Sequence, residues 1–318
     1  MSTDPYSRLW QLTIRPLSPW STPWQADSLF GSLCWTAAAV YGDEFLRTSI
    51  LEPALCGTPP FVLSDAFPTG WMPMPQHCRY AGQNTCTDGQ VREKTLRKAK
   101  FIKAKTFWRL LYEPAAAINS ASDLRCSDAG VIAGTLRNQV SRQAVTAVGR
   151  SQLFQPDAWA LHPDDQTLSV FARIDPEFIQ HLEILFNELS RTGFGADIST
   201  GKGEFEVCGN FAEVSLSLDR LVRRCVVISS FQPAQHDPTE GLWECFTKYG
   251  KLGAGCSVAN VFKRPIVMLR PGAVLHQPRL VVGRCISGDE LLSADTQQTL
   301  AGMGIKPVHP AFGLALPF

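Results

Sequence analysis

Residues 193–203 read GFGADISTGKG, a stretch with four glycines and one lysine. Glycine adopts positive φ at little cost and lets another backbone approach closely. Successive amides in such a loop can form a concavity that binds an anion, and Lys202 adds a positive charge that suits a phosphate group. The stretch is interpreted either as a phosphate-binding loop or as a glycine-rich turn that only reverses the chain, and the loop alone leaves both interpretations open.

The segments on either side of this loop set its context. Asp175 and Pro176 begin a predicted helix over residues 176–190, and residues 204–208 have the pattern of a strand. A nucleotide-binding P-loop instead runs from strand into helix and has four residues between its first glycine and Gly-Lys, whereas five residues separate Gly195 from Gly201. Both a nucleotide-hydrolysing site and a dinucleotide fingerprint are therefore excluded.

The N-terminal region predicts a strand followed by a helix. Residues 8–17 alternate, with Trp10, Leu12 and Ile14 on one face of a half-buried strand. Asp27 or Ser28 can cap a helix that ends at Gly42. Asp27 could also be a catalytic carboxylate, but an N-cap is the commoner use of Asp at such a position.

Composition places limits on the function. The chain has 318 residues, 45% of them hydrophobic, and a formal net charge of +1. The length allows two domains or one large one, and the charge argues against a generally basic nucleic-acid-binding protein, so any such function must come from local clusters. No run of 18 apolar residues occurs and the first eight residues are polar, which predicts a cytoplasmic protein without a membrane segment.

The ten cysteines are scattered without regular spacing, which predicts reduced thiols. The nearest approach to a metal site is His77-Cys78 with Cys86, and these residues lack both a C-x-x-C pair and a clear fourth ligand. No metal, cofactor or catalytic residue is predicted.

Residues 91–110 form the most basic segment of the chain. Only Glu93 opposes eight basic residues, among which Phe101, Ile102, Phe107 and Trp108 are interleaved. Such a patch is typical of a surface for nucleic acid or for an acidic partner protein, although a solvated helical face is an alternative interpretation. The basic residues are Arg92, Lys94, Arg97, Lys98, Lys100, Lys103, Lys105 and Arg109.

Two further regions follow. Residues 131–174 predict a long hairpin with arginines along one arm, and after Gly209 the pattern changes to short strands, clearest at 222–231, 265–270 and 280–285. Residues 248–255 and 262–265 are basic and partly glycine-rich, which suits either plain surface loops or further phosphate contacts.

The order strand, helix, late helix, glycine loop and closing strand resembles the ferredoxin-like RNA-recognition fold of the RAMP superfamily of CRISPR-associated proteins. Residues 26–35, ADSLFGSLCW, resemble its first-helix signature, and residues 61–68, FVLSDAFP, resemble the strand that follows. Residues 98–102 and 262–274 are similar to later blocks. Together these segments, which cover most of the chain, resemble the fourth subunit of type III-A (Csm) interference complexes.

This resemblance implies an α+β fold with two ferredoxin-like (RRM-like) domains, a glycine-rich loop and an inserted thumb hairpin. The first domain would span residues 1–210 with insertions at about 59–120 and 131–174, and the smaller second domain residues 211–318. It further implies a non-catalytic subunit of an antiviral ribonucleoprotein. This subunit would cap one end of the complex and bind the five-prime handle of the CRISPR RNA (crRNA). It would also dock the large polymerase-like subunit beside backbone RAMP subunits, with target RNA in the assembled complex.

The resemblance also assigns RNA-binding residues. The glycine loop would contact phosphates, and the hairpin would wedge between guide and target, although the sequence has no clean motif there. The predicted RNA-binding residues are Gly193, Gly195, Gly201, Lys202 and Gly203 of the loop, Arg137, Asn138 and Arg142 of the hairpin, and Ser28, Lys263 and Arg264 of the other blocks.

Three alternatives remain. An endoribonuclease that processes repeat RNA commonly has a histidine near the first helix, whereas the first histidine here is His77 and the six histidines show no pairing in sequence. Tyrosine or lysine could substitute for it. A backbone RAMP subunit would cleave target RNA through a loop aspartate and be present in several copies. A protein-binding scaffold would use the basic segment against an acidic partner.

Overall fold

The computed structural model describes residues 4–80, 93–113, 116, 118, 120–128, 130–132, 137–139, 152–154, 158–215, 222–253, 258 and 261–318. The first part of the chain contains β1 (Leu9–Pro16), α1 (Ala26–Tyr41), α2 (Asp43–Phe45), a π-helical turn (Leu46–Leu51), α3 (Glu52–Leu55), β2 (Phe61–Leu63) and β3 (Phe67–Pro68). An insertion follows with β4 (Trp71–Pro73), α4 (Gln76–Tyr80), α5 (Glu93–Lys98), β5 (Phe101–Lys103), α6 (Ala104–Tyr112) and β6 (Leu124–Arg125).

The next elements are β7 (Gly130–Ile132), β8 (Arg137–Gln139), β9 (Gln152–Phe154), β10 (Trp159–Leu161), β11 (Leu168–Ile174), α7 (Ile179–Thr192), β12 (Phe205–Val207) and β13 (Ala212–Val214). The last part contains β14 (Cys225–Val227), β15 (Gly241–Leu242), β16 (Cys245–Lys248), β17 (Ile266–Leu269), β18 (Ala273–Leu275), β19 (Val281–Ser287), α8 (Gly288–Leu291), α9 (Ala294–Gly302) and β20 (Val308–Pro317). None of the helices in the described part of the chain is long and apolar enough to cross a membrane.

The first sheet has the ferredoxin-like strand order. Its main strands run β12-β1-β11-β2 and pair antiparallel, so the unit β1-α1-β2-β11-α7-β12 has the spatial order 4-1-3-2. Leu12 and Ile14 are buried, as the alternation along β1 predicts, and α1 packs against α7. The resemblance to a ferredoxin-like fold is therefore confirmed for this half.

Both faces of β11 are covered, which explains why all seven of its residues are buried. One face carries the aliphatic residues of the sheet core. On the other, Phe171 meets Trp108 of α6 edge to face at 6.1 Å, and the Arg173 guanidinium donates to the Ala315 carbonyl of β20 at 3.0 Å. The sheet thus lies between its own helices on one side and the insertion with the second half on the other.

The second half is also α+β, but its strand order differs from the expected ferredoxin-like order. The sheet runs β15-β18-β14-β20-β19, and within residues 222–253 and 261–318 the helices α8 and α9 both lie between β19 and β20. A 4-1-3-2 order requires two helical crossovers between strands that are not neighbours, whereas α8 and α9 connect β19 to its direct neighbour β20. The α+β class is confirmed, and the division into two ferredoxin-like domains stays a prediction.

A single cluster of buried apolar residues spans the two halves. Val226, Ile228, Val274 and Leu314 of the second half belong to the same cluster as the core of the first sheet. The proposed boundary at residues 210 and 211 is therefore not a break in the hydrophobic core, and it stays a prediction.

The hairpin expected within residues 131–174 is present in the described residues. Strand β7 pairs with β10, and β8 pairs with β9, in nested antiparallel ladders. Trp159 at the start of β10 forms a bridge with Trp20, which ties the base of this thumb hairpin to the loop between β1 and α1.

Candidate nucleic-acid interface

The glycines of residues 193–203 all have positive φ, between 75° and 89°. At two of them a side chain would collide with a neighbour. A Cβ on Gly203 would lie 2.0 Å from the carbonyl oxygen of Phe194, and one on Gly195 would lie 2.6 Å from Cβ of Thr22, whereas Gly201 has open space. Close packing therefore requires glycine at positions 195 and 203.

Much of the loop's hydrogen-bonding capacity is used within the protein. The Phe194 amide donates to the Gly203 carbonyl, and the Gly203 amide donates to the Pro19 carbonyl, each at 2.8 Å. The Ala196 amide donates to Oγ1 of Thr22 at 2.9 Å. The Gly201 amide donates to the Ile198 carbonyl at 2.9 Å. These amides cannot bind a phosphate in this conformation, and the Thr200 amide likewise donates to the Asp197 carbonyl at 2.9 Å. The phosphate-cradle hypothesis therefore narrows to residues 198 and 199 of the exposed tip 198–201.

Lys202 lies inside the loop instead of projecting from it. Lys202 is 8% exposed, and its Nζ lies 3.0 Å from Oγ of Ser21 and 3.5 Å from Oδ2 of Asp197. The Ser21 hydroxyl in turn donates to Asp197 Oδ2 at 3.1 Å. Asp197 and Ser21 therefore give the ammonium group partners within the protein. Contact between Lys202 and RNA stays a prediction.

Residues 17–24, LSPWSTPW, hold the glycine loop and the thumb hairpin together, and we call them the anchor segment. Trp20 and Trp159 exchange two backbone hydrogen bonds of 2.8 Å, and Trp24 stacks on Phe194 at 4.1 Å. The sequence predicts only a loop between strand and helix here. Two tryptophans in an eight-residue loop were the available signal, because such large side chains need burial.

The N-terminus of α1 is capped from a distance. Neither Asp27 nor Ser28 is the N-cap, which is a correction: the helix begins at Ala26, and the N-cap residue Gln25 makes no side-chain capping bond. Instead the Ala26 amide donates to Oδ1 of Asp65 at 3.0 Å. A carboxylate from another segment satisfies the helix end and leaves Asp27 available for other contacts.

Asp27 belongs to a buried polar cluster that joins the two halves. Lys248 Nζ lies 2.5 Å from Oδ2 and 2.6 Å from Oδ1 of Asp27, 2.8 Å from Oε1 of Gln25 and 3.0 Å from Oγ of Ser28. His309 Nε2 lies 3.1 Å from Asp27 Oδ2. Ser28, a predicted RNA contact, is thus a partner of this lysine.

The protonation of the cluster follows from its surroundings. Burial raises the pKa of Asp27, but the Lys248 ammonium and the neighbouring His309 outweigh it and hold that pKa well below its usual range. Burial lowers the pKa of His309 despite the attraction of Asp27. Asp27 and Lys248 therefore form an ion pair beside a neutral His309, with side-chain exposures of 1%, 15% and 8%.

Asp65 ties the FVLSDAFP block to both halves. Its Oδ1 accepts from the amides of Ala26 and Ser230, and its Oδ2 accepts from the Ser230 hydroxyl at 2.6 Å. Ser64 contributes as well, because its hydroxyl accepts from the Phe171 amide of β11 at 2.8 Å. The block that carried the family resemblance is thus a structural junction.

The predicted hairpin residues fall in the thumb hairpin. Arg137 pairs with Phe154 and Asn138 with Leu153 in the β8–β9 ladder, and Arg142 lies outside the described residues. The last two predicted residues are in the second half. Lys263 is half-buried, with Nζ 3.3 Å from the Val308 carbonyl, while Arg264 is exposed. The described contacts do not bring these groups into one pocket.

The apolar and the charged residues of the basic segment 91–110 lie in different environments. Ile102 and Phe107 are buried in the core, so they do not form an aromatic surface for bases. Lys100 and Lys103 pair with Asp128 and Asp123 at 2.5 and 3.6 Å. Lys94, Lys98 and Lys105 are exposed, and Arg92 lies outside the described residues. The arrangement favours a solvated face over a stacking surface.

His77, which belongs to the nearest approach to a metal site in the sequence, packs against an aromatic ring. Burial lowers the pKa of His77 to about 4, and its ring stacks on Phe318 at 5.3 Å. Cys86 lies outside the described residues, and within those that are described no group of three or more His, Cys, Asp or Glu could hold a metal ion.

The fold and these contacts define a ferredoxin-like α+β protein with a glycine loop and an inserted thumb. Solved structures share this architecture over almost their whole length. One is a chain of the Csm1-Csm4 cassette in complex with cA4, which covers 98% of this chain and 97% of its own with a TM-score of 0.61 at 17% identity. Another is a chain of the Csm3-Csm4 subcomplex of the type III-A CRISPR-Cas interference complex, with 97% and 99% coverage, a TM-score of 0.61 and 16% identity.

Csm4 is the component that the cassette and the subcomplex have in common, and this chain is similar to it in fold. The expected resemblance to RAMP subunits of type III-A complexes is therefore confirmed at the level of the fold. No protein-family model matches the sequence, and no curated protein matches it either.

Proposed function

We propose that this chain is the Csm4-like end subunit of a type III-A effector ribonucleoprotein. It binds the five-prime handle of the crRNA and docks the large polymerase-like subunit beside the backbone RAMP subunits, close to the target RNA. The observation that carries the proposal is the nearly complete structural coverage by the component shared between a Csm1-Csm4 cassette and a Csm3-Csm4 subcomplex. A subunit that contacts both Csm1 and Csm3 suits a position at the junction between them.

The geometry around the anchor segment supports RNA binding. It places the exposed tip of the glycine loop and the base of the thumb hairpin on one short stretch of chain, through Trp20 and Thr22. Polar loop tips and backbone groups position a phosphate chain without reading its bases. The handle sequence is therefore recognised by other groups, among which the thumb hairpin and the partner subunit are the candidates.

The buried acid-base cluster supports a non-catalytic role. Asp27, Lys248 and His309 are the kinds of group that a metal-independent ribonuclease uses, and the fold brings a histidine next to the first helix. However, the His309 and Asp27 side chains are only 8% and 1% exposed. A ribose 2′-hydroxyl cannot come within hydrogen-bonding distance of Nε2, as general base catalysis requires.

Reconstitution tests this function. The chain is co-expressed with the large and backbone subunits and the repeat-spacer RNA of the same type III-A system, and the purified complex is weighed by native mass spectrometry. We expect one copy of this chain per complex, and we expect the large subunit to be lost when the chain is omitted. Several copies per complex would identify a backbone subunit instead.

A nuclease assay separates the enzymatic alternative. Purified chain is incubated with repeat RNA in excess EDTA, and we expect the RNA to remain intact. A specific cut that is abolished by His309→Ala, in a variant that still folds, would overturn the non-catalytic assignment. Assembly without any RNA in the complex would favour the scaffold alternative.

A further inference from the structure

Strands β16 and β17 form a hairpin with two different faces. Their register places Thr247 opposite Val267 and Lys248 opposite Ile266, and a bridge between Lys251 and Phe262 extends the pairing. Successive side chains on a strand point to opposite faces. The inner face carries residues that are buried or half-buried against the rest of the protein, and these are Lys248, Leu252, Ile266 and Met268.

The outer face of this hairpin carries exposed aromatic side chains. Tyr249 and Phe262 are 75% and 58% exposed, and Val267 is 57% exposed. Such exposure is unusual for large apolar side chains when several occur on one small surface. Trp35 of α1, itself 53% exposed, lies beside this hairpin, because a Cβ on Gly253 would lie 2.4 Å from its Nε1. The aromatic surface therefore continues from the hairpin onto α1.

Positive charge accompanies these rings. Residues 245–288 contain no Asp or Glu; of their seven Lys and Arg residues, Lys248 pairs with Asp27 on the inner face and Arg284 pairs with Glu290. Lys251 is exposed and its Nζ lies 5.1 Å from the centre of the Phe262 ring. Arg264, two residues before β17 begins, is also exposed. The outer face thus combines flat rings with cations, which is complementary to a polyanion that carries flat bases.

We propose that the outer face of the β16–β17 hairpin binds single-stranded RNA, with bases stacked on Tyr249 and Phe262 and a phosphate held by Lys251. The inference rests on the proposed function, which makes the chain an RNA-binding subunit, and it assigns that function a second contact surface away from the glycine loop. Aromatic rings on a pleated surface stack successive bases without regard to sequence, while nearby cations follow the backbone. The position of Lys251 over Phe262 keeps an ammonium group within reach of a phosphate that joins stacked bases.

Affinity measurements test the proposal. Purified full-length chain is titrated into a fluorescein-labelled single-stranded RNA of twelve nucleotides and mixed sequence, over a series of salt concentrations. Tyr249→Leu and Phe262→Leu keep an apolar side chain but remove the ring, and we expect each to weaken binding roughly five- to one-hundred-fold. Tyr249→Phe retains the ring and should bind like the parent chain.

The salt series distinguishes the rings from the charge. The leucine variants should keep the slope of log affinity against log salt, whereas Lys251→Ala should lower its magnitude by about 0.7. Leu55→Ala on α3, where Leu55 is 51% exposed, is the matched surface control and should change neither quantity. Thermal melting of each variant, followed by circular dichroism, checks that the fold is retained.

Two results would overturn the inference. Parent-like RNA affinity in both leucine variants excludes stacking on this face, and the proposed function still stands if the complex assembles with one copy of the chain. If a leucine variant loses the large subunit from the complex while its RNA affinity is unchanged, the face is a protein interface instead. Failure of assembly in the parent chain itself would contradict the proposed function and not this surface alone.

Discussion

Gly203 and Gly201 have nearly the same backbone conformation, with φ of 75° and 78°, but very different surroundings. An L-residue in this left-handed region costs about 1–2 kcal/mol. We expect Gly201→Ala to cost about that much, because open space surrounds it. Gly203→Ala adds a collision with the Phe194 carbonyl, so its cost should exceed about 3 kcal/mol. Urea unfolding of both variants measures the difference, and equal costs would show that strain alone requires glycine.

Substitution of Lys202 distinguishes a structural role inside the loop from a contact with an RNA phosphate. Lys202→Met removes the ion pair with Asp197, a residue whose side chain is 26% exposed, and should lower the free energy of unfolding by about 1 kcal/mol. The inward-pointing ammonium group predicts an unchanged salt dependence of RNA binding, in contrast to the phosphate contact that the family resemblance predicts. Lys105→Met on α6 is the exposed control for stability. A decrease of about 0.7 in the salt slope of Lys202→Met would show a phosphate contact instead.

The orientation of these residues could not be predicted from sequence, because their partners are distant. Lys202 contacts Ser21 across 181 residues, and Lys248 contacts Asp27 across 221 residues. Glycine spacing does predict a loop with positive φ, and the predicted order of helix, loop and strand is the one found in α7 and β12. Whether the amides of such a loop face solvent or the protein depends on what packs against them, which here is the anchor segment.

At the level of elements, the capping of α1 by Asp65 predicts a pH dependence. Burial raises the pKa of Asp65 to about 6, against the hydrogen bonds from Ser230 and Ala26. In the unfolded chain this carboxyl has a pKa of about 3.9. Between these two values the folded state retains a proton that the unfolded state has released, so the contribution of Asp65 to stability falls as pH rises from about 4 to 6.

Asp65→Asn isolates this contribution, because the amide oxygen still accepts from the backbone amides of Ala26 and Ser230 but does not titrate. The free energy of unfolding of the parent chain relative to the variant should fall by about 2 kcal/mol between pH 4 and pH 7. Urea unfolding of both proteins at four pH values in this range measures it. A difference that stays constant across the range would mean that Asp65 titrates normally.

Elements with local periodicity were predictable from the sequence, and those defined by pairing were not. The alternation along β1, the helix that ends at Gly42 and the apolar stripe of α7 all depend on neighbours within a few residues. The strand order of the second half depends on which strands lie side by side. Short strands with similar composition do not specify that order, and the ferredoxin-like expectation for this half came from the resemblance.

For the molecule as a whole, the Asp27–Lys248 ion pair connects the first helix to the second half. Lys248→Met leaves the Asp27 carboxylate buried beside a neutral His309, so we expect a loss of about 3–5 kcal/mol in the free energy of unfolding. The double variant Asp27→Asn with Lys248→Met has no uncompensated charge and should recover much of that loss. Lys94→Met, an exposed lysine on α5, should stay within about 0.5 kcal/mol of the parent.

Urea unfolding monitored by tryptophan fluorescence measures these variants. A loss below about 1 kcal/mol in Lys248→Met would show that water reaches Asp27 and replaces the lysine. Equal losses in the single and double variants would mean that the packing of the lysine stem, and not its charge, holds the halves together.

The central position of β1 in the first sheet has a consequence for protein synthesis. Leu12 pairs with Val170, and Ile14 pairs with both Leu168 and Val207, so every main neighbour of β1 is encoded far downstream. At translation rates of about 5–20 residues per second, β1 waits on the order of ten to forty seconds on the ribosome before β12 exists. During that interval its apolar face and both of its edges are open to other chains. The nascent protein is therefore most prone to aggregation before its second hundred residues are complete. Expression at a lower growth temperature, or with chaperones that bind β1, should raise the yield of folded protein.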